Sequence, residues 1–163
     1  MKRKVLVTGG AGFIGSHTVD ELIAQGYSVR VYDNLNPQVH GEGAEKPHFL
    51  HPDAEFIKGD VRDRDHLHQS IKDVDLIIHD AAEVGVGQSM YSIDQYISTN
   101  VQGTGLLWDI LINEKHKVEK VLVASSMSLY GEGCYLCEEH GKIFPKPRPD
   151  SQLAEGQWEM LCP

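Results

Sequence analysis

The sequence predicts an α/β fold built on a parallel sheet, and three observations predict it. Short apolar runs alternate with longer helical patterns over residues 1–131. The runs read as continuous Val, Ile and Leu rather than as alternating apolar and polar residues. A glycine cluster stands between the first run and the first helical pattern. Strands covered by helices on both faces need apolar side chains on both, so continuity marks a parallel sheet.

The strands are expected at residues 5–7, 29–32, 55–57, 76–78 and 121–124. The first helix should begin near Gly12, because Gly15, Val19, Leu22 and Ile23 then form one stripe toward the sheet, and Gly26 should stop it. Residues 34–52, rich in Asn, Pro, Gly and His, lack periodicity and read as a long surface loop. A longer helix is expected over residues 93–114, where Ile97, Val101, Thr104, Trp108 and Leu111 recur at spacings of four and three and offer a face for a dimer interface. From Gly131 the pattern changes, with Pro145, Pro147 and Pro149 breaking periodicity. Residues 1–131 therefore read as one domain and 132–163 as a Cys- and Pro-containing insert or tail without regular structure.

Composition narrows the function. At 163 residues and 40% hydrophobic, the chain can bury one core. A net charge of −9 repels polyanions, which argues against nucleic acid as a partner. No stretch approaches the roughly 18 apolar residues of a membrane helix, and the basic N-terminus lacks a signal peptide's apolar stretch. Cys134, Cys137 and Cys162 all lie near the end, so no disulfide framework staples the main body. These features predict a soluble cytoplasmic protein.

The strongest local signal is Gly9, Gly12 and Gly15 in G-x-x-G-x-x-G, after a strand and before a helix. A pyrophosphate must approach unpaired N–H groups at a helix N-terminus, here those around Phe13 and Ile14, and a Cβ at Gly9 or Gly12 would obstruct it. Gly15 lets the helix lie close to the sheet. Asp33, followed by Asn34, ends the second strand where a carboxylate accepts from the adenosine ribose hydroxyls. That carboxylate would repel a 2′-phosphate, and Arg30 lies too early in the strand to welcome one, so the cofactor is read as NAD rather than NADP.

The motifs TGGAGFIG, YDN, GDVRD, HDAA, TNVQGT and SSMSLYG resemble those of the extended short-chain dehydrogenases/reductases of the NAD-dependent epimerase/dehydratase type, over residues 3–131. The resemblance implies a Rossmann-type doubly wound parallel sheet, a nucleotide-sugar substrate and a homodimer. It implies that Asp60 and Val61 flank the adenine, that Ala81 and Ala82 lie beside the cofactor's phosphate and ribose, and that Asn100 braces the sheet. The run from Val86 to Ser89 resembles the sugar-facing loop of hexose 4-epimerases. Asp80 departs from the family, which usually carries an apolar residue there.

Ser126 matches the family's catalytic Ser/Thr, whose hydroxyl would bond the sugar oxygen at the carbon being oxidised. Dehydratases of the family carry Asp-Glu directly after it, because elimination needs an acid and a base. Here Met127 and Ser128 stand there. Oxidation at C4 followed by re-reduction is left, and the stretch resembles the dTDP-L-rhamnose 4-epimerase and UDP-glucose 4-epimerase-like group. The alternatives are a non-catalytic NAD-binding or sensing module, or a nucleotide-sugar dehydratase or reductase.

The family's base is the tyrosine of Y-x-x-x-K, and none of the six tyrosines has lysine four residues later. The chain is accordingly expected to be a truncated, cofactor-binding half that lacks the C-terminal substrate domain and binds without turnover. Cys134, Cys137 and His140 have spacings that suit a metal knuckle, and Cys162-Pro163 could open a second one. Three ligands of the likelier set, Cys137, His140 and Cys162, fall short of four. The expectation is reduced thiols in a loop, with no metal site in this chain.

Overall fold

The computed structural model describes residues 2–162. They fall into two compact units, one ending at Ala124 and the other beginning at Ser125.

In the first unit the strands are β1 (Lys4–Thr8), β2 (Ser28–Asp33), β3 (Glu55–Lys58), β4 (Leu76–His79) and β5 (Lys120–Val123). All pair in parallel in the order β3-β2-β1-β4-β5. Each expected strand is present within a residue or so of its expected limits, because burial on both faces imposed the continuous apolar runs. Chain order reverses between β1 and β4, and this switch point is where doubly wound sheets open a crevice at their carboxyl ends.

Helix α1 (Phe13–Ala24) starts after Gly12 and buries Gly15, Ser16 and Val19, with Leu22 and Ile23 packed against Val5, Val7, Val29 and Val31. Gly26, at φ 88°, ends it as expected. The opposite face of the sheet packs Leu6, Tyr32 and Ile77 on Leu67 and Ile71 of α3 (Arg64–Ile71) and on Leu107 and Ile110 of α6 (Thr104–Asn113). No described helix is long and apolar enough to cross a membrane.

Residues 34–52 differ from a plain surface loop. They hold one helical turn, α2 (Pro37–His40), capped by Asn36, whose side chain accepts from Gln38 N–H. Leu35 and Leu50 are buried in the core and pin the segment at both ends. Two isolated apolar residues create no period, so sequence pattern could not find these anchors.

The helix expected over 93–114 is continuous but changes pitch: α5 (Ile93–Tyr96), a π-helical stretch Ile97–Gly103, then α6. The face turned inward is Thr99, Gly103, Leu107 and Ile110, whereas Ile97, Val101 and Trp108 are exposed. Gly103 is required there, because a Cβ would lie 2.7 Å from Val61 Cγ2.

The second unit, expected to lack regular structure, contains a 3₁₀ turn Met127–Tyr130, an antiparallel hairpin of β6 (Tyr135–Cys137) and β7 (Gly141–Ile143), and a short helix α7 (Asp150–Ala154). The prolines expected to break periodicity lie between β7 and α7, and Pro149 caps α7.

Candidate functional site

At the carboxyl end of β1 the chain turns on Gly9, held at φ 70° with its N–H donating to Tyr32 O at 2.9 Å. A Cβ on Gly9 would lie 2.8 Å from Ala81 N, so the loops after β1 and β4 abut with no room for a side chain between them. Gly15 is tighter still, its missing Cβ falling 2.2 Å from Gly9 O. Gly12 is open, with Gly9 O at 3.3 Å the only neighbour. Of the glycines read from the spacing, Gly9 and Gly15 are thus demanded by the protein itself, and Gly12 leaves space for something else. Gly10, which the spacing left out, is equally constrained, 2.9 Å from both Val7 O and Val31 Cγ1.

Gly12 is the N-cap of α1 and offers no side-chain hydrogen bond, and no acidic residue lies in the first turn. The N–H groups of that turn and the positive end of the helix are therefore available to an anion. Phe13 and Ile14 in this turn are exposed. A shallow hollow on the outer flank of α1, lined by Ile14, His17, Thr18, Glu21 and Leu22, is largely apolar and lies away from the switch point.

Asp33 stands at the carboxyl end of β2 and is 8% exposed. Its Oδ2 accepts from Ala11 N–H at 3.0 Å and its Oδ1 from Leu35 N–H at 2.8 Å. The carboxylate was expected to await ribose hydroxyls, and it also locks the glycine loop to β2. Each oxygen keeps a second lone pair for an outside donor. Arg30 is committed elsewhere, donating to Ser70 O at 2.7 Å and pairing with Asp73 and Glu55.

The Asp60 carboxylate accepts from the Arg62 guanidinium at 2.7 and 2.8 Å, from Arg62 N–H and from Asn34 Nδ2. Arg62 holds its pKa down to about 2. Asn34 in turn accepts from Asn36 N–H, so these residues order the turns after β2 and β3 together. The Val61 side chain is 5% exposed and packs in the core, so its backbone is the part left to face a ligand.

After β4, Ala81 is partly buried and Ala82 exposed. Asn100, in the π-helical stretch, clamps the residue that follows them: its Oδ1 accepts from Glu83 N–H at 2.8 Å and its Nδ2 donates to Glu83 O at 3.0 Å. It braces the loop after β4 rather than a strand. Glu83 also accepts from Asn36 Nδ2, a tie that no sequence pattern signals. The run Val86–Ser89 is a single helical turn, α4, not an open loop. Asp80 is partly buried, which raises its pKa.

A hydrogen-bond relay missed in the sequence supports this loop. His79 Nδ1 lies 2.8 Å from Thr8 Oγ1 and its Nε2 lies 3.0 Å from Thr104 Oγ1. Thr104 Oγ1 donates to Asn100 O at 2.7 Å, so it must accept from His79 Nε2–H, which leaves Nδ1 to accept from Thr8. Thr8 Oγ1 accepts from Ala81 N–H at 3.3 Å. The Nε2 side of the relay is fixed by Thr104, and in the neutral imidazole that burial favours, Thr8 Oγ1 donates to Nδ1. Burial lowers the His79 pKa accordingly. Stability from this group is complete above the unfolded-state pKa of about 6.5 and is lost as pH falls through the lower folded-state value. Unfolding free energies from urea titrations between pH 7.5 and 5 should fall more steeply for the wild type than for His79→Gln, by up to about 1.4 kcal/mol per pH unit. Equal slopes would rule this out.

In the second unit Ser126 is the N-cap of the 3₁₀ turn, its Oγ accepting from Ser128 N–H at 3.1 Å. Its hydroxyl proton is left free to donate outward. Cys137, His140 and Cys162 stand together, with their ligand atoms within 4.8 Å of one another, and Cys134 is not among them.

A parallel sheet with a glycine loop at its switch point, an uncapped helix N-terminus and an acid closing the second strand defines a Rossmann-type protein whose ligands bind at the carboxyl edge of the sheet. The chain belongs to the NAD dependent epimerase/dehydratase family, whose model matches residues 5–149. It is 38% identical over 159 residues to the dTDP-L-rhamnose 4-epimerase of Burkholderia thailandensis, covering 96% of this chain and 44% of that protein. It is 36% identical over 137 residues to the UDP-glucose 4-epimerase of Pisum sativum, covering 80% of this chain and 38% of that one. The structure of UDP-glucose 4-epimerase from Brucella ovis in complex with NAD matches with a TM-score of 0.67 and 35% identity, over 79% of this chain and 37% of that one. The chain thus spans less than half the length of these relatives.

Proposed function

We propose that this chain is the cofactor-binding part of an NAD-dependent nucleotide-sugar 4-epimerase, an isomerase that works by oxidation and re-reduction at C4. The observation that carries the reading is the uncapped first turn of α1 at the switch point, with Asp33 buried beside it. The residues fit the cofactor. The space over Gly12 and the N–H groups at Phe13 and Ile14 suit a pyrophosphate, and the spare lone pairs of Asp33, with Asn34, suit the adenosine ribose. Asp60 and the Val61 backbone would lie by the adenine, and Ala81 and Ala82 by the phosphate and ribose, with Asn100 holding their loop.

NAD, when bound, supplies the hydride acceptor and returns the hydride. The chain's own part is to bind and orient: Ser126 donates its free proton to the sugar oxygen at the reacting carbon. Neither the Met127 thioether nor the Ser128 hydroxyl can serve as general acid or base near neutral pH, which supports epimerisation over elimination. The similarity to 4-epimerases of dTDP- and UDP-sugars supports a nucleotide-sugar substrate. Residues 1–131 form the cofactor domain and 132–163 an insert on this reading. The exposed Ile97, Val101 and Trp108 support a homodimer, and three free cysteines support a cytoplasmic location.

A second reading is an NAD-binding or sensing module without turnover, which would use the same glycine loop and Asp33. Isothermal titration calorimetry on this chain should give NAD binding at least about tenfold tighter than NADP, a difference of roughly 1.4 kcal/mol. Comparable affinities would overturn the cofactor reading, and hexose turnover by this chain alone would overturn the second.

A further inference from the structure

The second unit has a property that its own side chains do not explain. Among its described residues none is buried, and Leu129, Leu136, Phe144, Trp158 and Leu161 are all more than half exposed. Its internal ties are polar: Arg148 pairs with Glu132 at 2.9 Å and donates to Trp158 O at 2.7 Å, and Gln152 donates to Glu159 O at 2.7 Å. Partly solvated ties of this kind contribute only about 1 kcal/mol each. A segment this short with no apolar core usually needs a disulfide, a metal or a partner surface to hold one conformation.

The hairpin supplies the start of such a staple. Cys137 ends β6 and pairs in register with Gly141, the first residue of β7, which takes φ 70° and lets the chain reverse over Glu138, Glu139 and His140. The turn folds His140 back so that its Nδ1 lies 3.5 Å from Cys137 Sγ. Cys162, 22 residues beyond His140, returns to place its Sγ 3.1 Å from the same Nδ1. Zinc–sulfur and zinc–nitrogen bonds of about 2.3 and 2.0–2.1 Å at tetrahedral angles put S···N near 3.6 Å and S···S near 3.8 Å. The two S···N distances, 3.5 and 3.1 Å, and a spread within 4.8 Å place the three ligand atoms close enough for one ion, with shifts of about half an ångström to reach ideal geometry. Cys134 stands apart, its Sγ 3.9 Å from Tyr135 O.

We propose that Cys137 Sγ, His140 Nδ1 and Cys162 Sγ bind one zinc ion that staples the β6–β7 hairpin to the segment around Cys162. Two thiolates and an imidazole are a donor set that selects zinc over magnesium or calcium. Binding displaces the two thiol protons. Three protein ligands leave one tetrahedral position to water or a further donor.

The test uses the full chain, reduced, stripped of metal by chelation and titrated with zinc or cobalt(II). One equivalent should bind, cobalt should give thiolate charge-transfer absorption with the strong visible bands of a tetrahedral site, and zinc should protect the segment after Ser125 from proteolysis. Cys137→Ser and Cys162→Ser should each weaken binding by more than about a hundredfold, beyond the 10–100-fold cost of losing an outer-shell partner. Cys134→Ser should bind as the wild type does. The cobalt spectrum is read on the wild type, so a variant that fails to fold does not shield the proposal. No bound metal in the reduced wild type, loss of binding in Cys134→Ser equal to that in Cys137→Ser, or a Cys137–Cys162 disulfide in the isolated zinc-free chain would each overturn it.

Discussion

Gly15→Ala is expected to cut NAD binding by about 10²-fold or more, the scale set by misplacing a positioning group by an ångström. The new Cβ would meet Gly9 O at 2.2 Å, Gly10 Cα at 2.6 Å and Gly9 C at 2.9 Å, all of them backbone. The loop cannot retreat, because Gly9 already abuts Ala81 N and Gly10 is wedged between Val7 O and Val31. Helix α1 would have to move off the sheet instead, carrying its first-turn N–H groups away from the pyrophosphate site. Overpacking of this kind also costs about 1–3 kcal/mol of stability. Gly105→Ala is the matching control, with nothing within 4 Å of its Cβ and a place in the interior of α6. It should leave NAD binding unchanged and raise stability by roughly 0.5–1 kcal/mol. Calorimetry and urea unfolding on both variants check the pair, and near wild-type NAD affinity in Gly15→Ala would refute the loop geometry.

Asp33→Ala should lose both NAD affinity and stability, and the two losses have different origins. Stability falls because Ala11 N–H and Leu35 N–H, on residues at most 3% exposed, lose their acceptor. A buried donor left unpaired costs about 1–3 kcal/mol. Affinity falls because each ribose hydroxyl loses a bond to a charged group, roughly 1.5–3 kcal/mol or about ten- to hundredfold. Asp33→Asn separates the effects: its amide oxygen keeps one backbone acceptor while the charge is removed, so stability recovers in part and discrimination against NADP relaxes. An Asn variant that still rejects NADP as the wild type does would show that the Asp33 charge is not the discriminator.

Much of the first unit was legible because its signals are local or repeated. Continuous apolar runs located the parallel strands. The spacing of Gly9, Gly12 and Gly15 before a helical stripe located the turn, and Asp33 at the end of the next run located the acid. The misses share a cause. Leu35 and Leu50 are single apolar residues in a polar stretch, and they anchor it only because the chain folds back onto the sheet. Gly10 looks like a spare member of the glycine cluster until Val31, on the neighbouring strand, is placed against it.

The sequence by itself determined the parallel sheet, the glycine turn, the acid after β2 and the Cys137–His140 knuckle spacing, since each depends on residues within a few positions of one another. Only the tertiary structure decided which way protons run from Ala81 through Thr8, His79 and Thr104 to Asn100. It alone decided that Asn100 clamps Glu83, and it brought Cys162 onto His140, completing the set that the sequence favours over one with Cys134. Those outcomes pair residues up to 73 positions apart, as Thr8 and Ala81 are. A hydrogen bond or a ligand set is chosen by distance in space, and for such pairs that distance is set only once the whole sheet, or the whole hairpin, has closed.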